Sequence, residues 1–194
     1  MMKTTTRYGT PNQQPDKEKM QELILYLSVQ STDDSSWGVT KLNKLLFLID
    51  FSAYLFIGRS ITGHEYQRKQ HGPCPTQISS LREGLVADKR LEIEKVRYYN
   101  YNKKVPVARR DANMNAFTPD ELDMIDSVRK RWLGVTASEM STKSHDFLGW
   151  KTAEHGATIP YSFALIEPRR EPTCAEIEYA KMLGSIPIEE RRKV

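Results

Sequence analysis

The chain has 194 residues, of which 39% are hydrophobic and 28% charged, and its 29 Lys and Arg outweigh 25 Asp and Glu to give a net charge of +4. This mild basicity permits a nucleic-acid or acidic partner without demanding one, because opposite charges are interleaved along most of the chain. Two distant cysteines (Cys74 and Cys174), a polar start from Met1 to Pro15, and an apolar run from Leu45 to Ile57 interrupted by Asp50 exclude a disulfide framework, a secretory signal and a bilayer span. A cytoplasmic protein without membrane attachment is expected.

Residues 1–15, with Thr, Gln and two prolines, read as a flexible tail ahead of a domain over 16–165, with 166–194 forming a C-terminal helix and charged tail. A first helix starts at Asp16, a residue type that accepts the first free N–H groups, and Met20, Leu23, Ile24 and Leu27 form its apolar stripe. After the polar Ser31–Gly38 loop, a second helix over about 40–57 is capped by the Thr40 hydroxyl and ended by Gly58. It is apolar nearly all round, so it is expected to be the buried central helix, with Lys41 and Lys44 on its less apolar side. A strand over about 64–70 comes next, then a His71–Pro75 loop in which proline allows neither element to continue. A third helix runs from Thr76 to about Lys89 with Ile78, Leu81, Leu85 and Val86 inward. Alternation over 91–110 predicts a hairpin with Asn100 and Asn102 near its tip.

Thr118-Pro119-Asp120-Glu121 is a capping box opening the next helix, whose Leu122, Ile125, Val128 and Trp132 face the core and which Gly134 closes. Short helical turns are expected at 137–140 and 145–153, an extended or irregular run at 159–165, and a last helix from Thr173 to Gly184 before the charged Glu189–Val194 end. The order implies an α+β fold, mainly helical, with helices around the central helix and a small antiparallel sheet or hairpin (about 64–70 and 91–110).

Catalytic chemistry finds no anchor. His64, His71 and Cys74 lack a fourth ligand and the spacing of structural zinc sites, so no metal and no cofactor is expected. Ser144, His145 and Asp146 mimic a hydrolytic triad only in sequence, since adjacent side chains seldom point at one another, and neither a GxSxG elbow nor a phosphate-binding glycine loop occurs. Basic clusters occur at Arg109-Arg110, Arg129-Lys130-Arg131, Arg169-Arg170 and Arg191-Arg192-Lys193. Tyr98, Tyr99 and Tyr101 stand beside Lys103 and Lys104 on the hairpin. That mixture suits a nucleic-acid groove, but the paired helices of a helix-turn-helix are missing, and a plain surface hairpin is the favoured reading.

A set of motifs in order resembles the Panacea, or SocA-like, antitoxin domain. Val39-Thr40-Lys41-Leu42-Asn43-Lys44-Leu45-Leu46-Phe47-Leu48-Ile49-Asp50-Phe51 is similar to the family's K-L-x-K-L-L-[YF]-F-A-D-F, and Gly58-Arg59-Ser60-Ile61-Thr62-Gly63 to its G-R-x-[IL]-T-G. Tyr66, then His71-Gly72-Pro73, then Phe117–Glu121, then Ser141, Ser144, His145 and Trp150, then Ile159-Pro160-Tyr161 continue the match over roughly 16–165. Cys74, Met140 and the polar Gln67-Arg68-Lys69 depart from the family pattern.

The resemblance implies a phage-associated or mobile antitoxin, not an enzyme, that neutralises a cognate toxin protein by direct contact. Its alternatives are a DNA-binding regulator and an adaptor that hands its partner to a protease. The oligomeric state stays open. Lys41, Leu42, Lys44, Leu45, Asp50, Gly58, Arg59, Thr62, Gly63, Tyr66, His71, Gly72, Pro73, Ser144, His145 and Trp150 are expected to serve the fold. Tyr98, Tyr99 and Tyr101 are the candidates for partner contact, since tyrosine is enriched at interface hot spots.

Overall fold

The computed structural model describes residues 14–98 and 100–166. The expectations for the N-terminal tail up to residue 13, for Tyr99, and for everything after residue 166 (Cys174, two basic clusters and the last helix) lie outside the described residues.

Helix α1 (Lys17–Gln30) opens on Asp16, whose carboxylate accepts the Lys19 N–H at 2.9 Å, and buries Met20, Leu23, Ile24 and Leu27 completely. Helix α2 (Val39–Ile57) is the central element, packed upon by α1 and by several of the later helices and strands. Its start is not capped by Thr40. Gly38 precedes the first turn with no side-chain cap, and a Cβ there would stand 3.1 Å from both the Lys103 side chain and the Lys104 carbonyl. Close approach to the hairpin fixes this end. At the other end Gly58, at φ 86°, returns its N–H to the Tyr54 carbonyl at 3.1 Å, a left-handed cap that glycine adopts without strain.

The His71–Pro75 segment corrects the loop expectation: β2 (Gly72–Pro75) pairs antiparallel with β1 (Tyr66–Lys69), in the register Tyr66↔Pro75 through Lys69↔Gly72. The Thr76 N–H donates to the Glu65 carbonyl at 2.9 Å, which makes that pair hydrogen-bonded. By alternation, Pro73 and Pro75 fall at non-hydrogen-bonded positions, where the missing N–H would point away from β1. Proline at period two on an edge strand therefore costs no ladder bond. Strand β5 (Thr158–Ile159), at the start of a run expected to be extended or irregular, closes the other side, in the order β2-β1-β5.

Helix α3 (Ile78–Ala87) is shorter than expected and leaves Val86 41% exposed, about 100° round the helix from Leu85, while Ile78, Leu81 and Leu85 point inward. Strands β3 (Leu91–Tyr98) and β4 (Tyr101–Ala108) form a separate hairpin, with Asn102 inside the ladder opposite Arg97. Helix α4 (Pro119–Arg131) carries the expected capping box, with Ile125 and Val128 buried. A second box, Thr136 with Glu139, extends α5 (Ala137–His145) well beyond the short turn expected there. Helix α6 (Leu148–Thr152) and a 3-10 turn (Tyr161–Leu165) complete an α+β fold that is mainly helical.

Three buried carboxylates tie distant segments together. Asp50, on α2 and wholly buried, accepts the Ile61 N–H at 2.9 Å, the Thr62 N–H at 2.8 Å, the Thr62 hydroxyl and the Tyr66 hydroxyl at 2.8 Å. Glu121 holds Lys19 at 2.7 Å and Arg59 at 3.3 Å, and accepts its own cap N–H from Thr118. Glu22 accepts from Arg110 and from the Asn113 N–H at 2.7 Å.

Removing the Asp50 acceptor strands four buried donors at once. Asp50→Ala is expected to lose at least about 3 kcal/mol in equilibrium urea unfolding, and Asp50→Asn clearly less because one acceptor oxygen remains. Equal losses would discard the hydrogen-bond account. For Glu22, burial pushes the carboxyl up, yet Arg110, the Asn113 N–H and Arg90 outweigh it and hold its pKa below the ordinary value. A depressed folded-state pKa contributes stability above the unfolded value of about 4.3, and that contribution is lost as the pH falls through the folded one. Glu22→Gln should therefore be less stable near neutrality and lose less on acidification from about pH 5 to about pH 3. A parallel acid loss in both proteins counts against this.

Candidate interaction surface and the motif cluster

The motif residues of α2 turn inward. Leu42 and Leu45 lie in the core, and both lysines are also buried, at 1% and 2% exposure, a stronger burial than a less apolar helix side suggests. Lys41 is satisfied: its ammonium reaches Asp34 at 2.6 Å, the Ser36 hydroxyl at 2.9 Å and the Val135 carbonyl at 2.5 Å, so it pins the loop before α2 to the loop after α4. Burial pushes the Asp34 carboxyl up, but Lys41 and Ser36 hold it below the usual carboxylate range.

Lys44 is different. Among the described residues no carboxylate pairs with it, and its only hydrogen bond runs to the Pro73 carbonyl at 3.3 Å. Burial pulls its pKa down to about 8, with Cys74 opposing.

Asp50, Thr62 and Tyr66 form one buried knot. Gly58, Arg59 and Gly63 (φ 68°) carry the chain round it, and the Tyr161 hydroxyl joins at 3.5 Å while donating to the His64 carbonyl at 2.5 Å. A second cluster gathers at the β1–β2 turn. Gly72, at φ 102°, sits so close to Ser144 and Lys44 that a Cβ would lie 2.3 Å from the hydroxyl and 2.5 Å from the ammonium nitrogen. The Ser141 hydroxyl donates to the His71 carbonyl at 2.8 Å, joining α5 to the turn, and the Ser144 hydroxyl donates to the Ser141 carbonyl. His145 stacks on Trp150 at 3.9 Å between ring centres, Arg68 lies over the Trp150 ring at 4.5 Å, and the Trp150 N–H reaches the Lys69 carbonyl. Burial and the nearby Lys44, His71 and Arg68 push the His145 pKa down. Ser144 and His145 are thus engaged with the backbone and an indole, not with each other.

His64, His71 and Cys74 do not converge, and among the described residues no three His, Cys, Asp or Glu side chains are placed to hold a metal ion. Nor is any described helix long and apolar enough to cross a membrane.

The hairpin faces outward. Tyr98 and Tyr101 meet edge to face at 5.7 Å, Lys103 sits over Tyr98 at 4.4 Å, and Tyr101 is 57% exposed. Between this face and the Ser28–Trp37 stretch runs a groove of about 950 Å³, walled by Val96, Val105 and Val107 on one side and by Val29 and Trp37 on the other. The Trp37 N–H donates to the Pro106 carbonyl at 2.9 Å and so anchors the hairpin across it. Sequence reasoning does not single out the valines and Trp37 as surface-forming residues. Alternation of Val105 and Val107 is the only signal, and it could equally mean core.

The buried, unpaired ammonium of Lys44 has a measurable consequence. Its folded-state pKa lies below the unfolded value of about 10.4, so the unfolded chain holds more protons and stability should rise with pH between about 8 and about 10, by up to about 3 kcal/mol. Lys44→Met is expected to abolish that rise and to be the more stable protein at neutral pH. A wild-type profile that is flat or falls over the same window rules out the buried charge.

No curated protein and no solved structure matches the chain. The family model described as "Antitoxin SocA-like, Panacea domain" matches residues 42–151, from within α2 to α6, and covers the hairpin and both motif clusters apart from Tyr161. The chain belongs to the SocA-like, Panacea-domain antitoxin family.

Proposed function

We propose that the protein is the antitoxin of a toxin–antitoxin system, acting in the cytoplasm by holding its cognate toxin in a direct, non-catalytic complex. The observation that carries this reading is the family match over residues 42–151. The geometry supports it by its division of labour. The motif side chains Lys41, Lys44, Asp50, Thr62, Tyr66 and Ser144 are buried and committed to the frame. The outward hairpin face, with Tyr101 exposed, and the adjoining groove are the surface proposed to receive the partner. Aromatic side chains beside an apolar trough give a protein partner desolvated anchoring points.

The DNA-binding alternative draws less support, because two of its basic clusters are engaged within the chain. Arg109 pairs with Glu92 and Glu94, Arg110 with Glu22, and Arg129 and Lys130 with Asp126. Cations already facing carboxylates release fewer counterions on meeting a phosphate backbone.

Co-expression with the product of the neighbouring reading frame tests the reading. The product is expected to arrest growth alone and to be harmless, and to co-purify, when this protein is present. Tyr98→Ala with Tyr101→Ala should weaken the complex by about 1–3 kcal/mol while the protein stays folded. A neighbour whose toxicity persists beside the wild-type protein would end the antitoxin reading, and unchanged affinity in the double variant would remove the tyrosines from the interface.

A further inference from the structure

Among the described residues the two edges of the hairpin differ, one approached by other parts of the chain and the other without a backbone partner at its middle. The Arg109 N–H donates to the Arg90 carbonyl at 2.9 Å, so hydrogen-bonded pairs alternate from there through Glu92↔Val107, Glu94↔Val105 and Val96↔Lys103. On β4 the outward edge is crowded by the chain: the Pro106 carbonyl takes the Trp37 N–H, and Gly38 lies close against the Lys104 carbonyl. On β3 the outward groups belong to Leu91, Ile93, Lys95 and Arg97. Strand β3 pairs with β4 alone, and among the described residues no backbone partner meets the outer edge at Ile93 or Lys95.

The two faces beside this edge differ in chemistry. On one, Lys95 stands directly opposite Lys104, with Arg97 and Asn102 the next pair toward the tip, all exposed. Like charges directly across a ladder repel, and no described carboxylate pairs with either lysine. On the other face lie Val96, 41% exposed, Tyr98 and the groove, with Glu92 and Glu94 toward the base already paired with Arg109.

We infer that β3 accepts an extended segment of the partner protein as a third strand, and that this segment alternates acidic side chains, over Lys95 and Lys104, with apolar ones, over Val96 and the groove. The period-two alternation of a strand delivers both sets at once, and the backbone ladder supplies affinity that does not depend on side chains. Edge charges such as Lys95 and Arg97 also discourage indiscriminate strand pairing, so the occupant must bring carboxylates to be admitted. A nucleic acid fits less well: it has no use for a strand edge, and Glu92 and Glu94 on the same strand repel phosphate.

The inference rests on the partner-binding reading, and two probes separate their failures. The first is a short peptide alternating glutamate and valine, titrated onto the full chain. The second is the product of the neighbouring reading frame. Lys95→Pro removes the outward N–H, as Pro106 already does on β4, together with the ammonium, so it is read against Lys95→Ala, which removes the ammonium alone. The proline variant is expected to weaken peptide binding at least about ten-fold further, with the unfolding temperature nearly unchanged. Lys95→Glu with Lys104→Glu should abolish it, and amide exchange at Ile93 and Lys95 should slow in the wild-type complex. Peptide binding that survives the proline and the double-glutamate variants, or absent exchange protection in the complex, overturns the inference. So does a DNA duplex binding through Lys95 and Lys104 while the peptide does not bind. If the peptide behaves as expected while the neighbouring product neither poisons cells nor binds, the antitoxin reading falls and the edge site stands.

Discussion

The buried carboxylate of Asp50 fixes how the frame closes on itself. A helix apolar nearly all round can pack in many rotational settings, and dispersion alone discriminates weakly among them. One anion inside that helix changes the problem. Taking it out of water is tolerable only where several donors meet it, and the backbone of residues 61 and 62, with the hydroxyls of Thr62 and Tyr66, provides them. Burial still pushes the carboxyl above the ordinary aspartate range. The position of the Gly58–Gly63 turn, the first residue of β1 and, through Tyr161, the last described turn all depend on that single group.

The same device recurs with Lys41 and with Glu121, each joining segments far apart in sequence. Lys44 is the exception, a buried cation without a buried anion. It lies beneath Gly72, where no larger residue fits, and beside a stacked His145–Trp150 pair that burial keeps from protonating readily. A lysine in this place can shed its proton once the pH rises past about 8, which an arginine could not.

Local signals in the chain are legible where one residue does one job. Asp16, the Thr118–Glu121 box, the apolar stripe of α1, the hairpin and the central helix can all be read from residue type and spacing. The features that resist such reading depend on an interaction from elsewhere. The start of α2 is set by Gly38 meeting the hairpin, not by a hydroxyl within the helix. Strand β2 hides behind two prolines, which are harmless only in the particular register that β1 imposes. The second capping box around Thr136 is present in the sequence but inconspicuous, because no apolar run of the usual kind comes after it. At the candidate interface the tyrosines announce themselves by composition. The groove does not, since Trp37 and the hairpin valines meet only after folding.

The way buried and exposed charge is distributed explains how such a scaffold can serve recognition. Glu22, Asp34, Asp50 and Glu121 commit their carboxylates to holding segments in place, and Arg109, Arg110 and Arg129 are neutralised in the chain. The lysines Lys95 and Lys104, with which no described carboxylate pairs, share one face of the hairpin across its two strands. Substitutions there disturb no buried partner, and exposed positions of that kind usually shift stability by only about 0.5 kcal/mol. The interior network, by contrast, loses about 3 kcal/mol when one member is removed and its donors are stranded. A frame that tolerates no change beneath a surface that tolerates much is the physical requirement for one fold to be fitted to different partners.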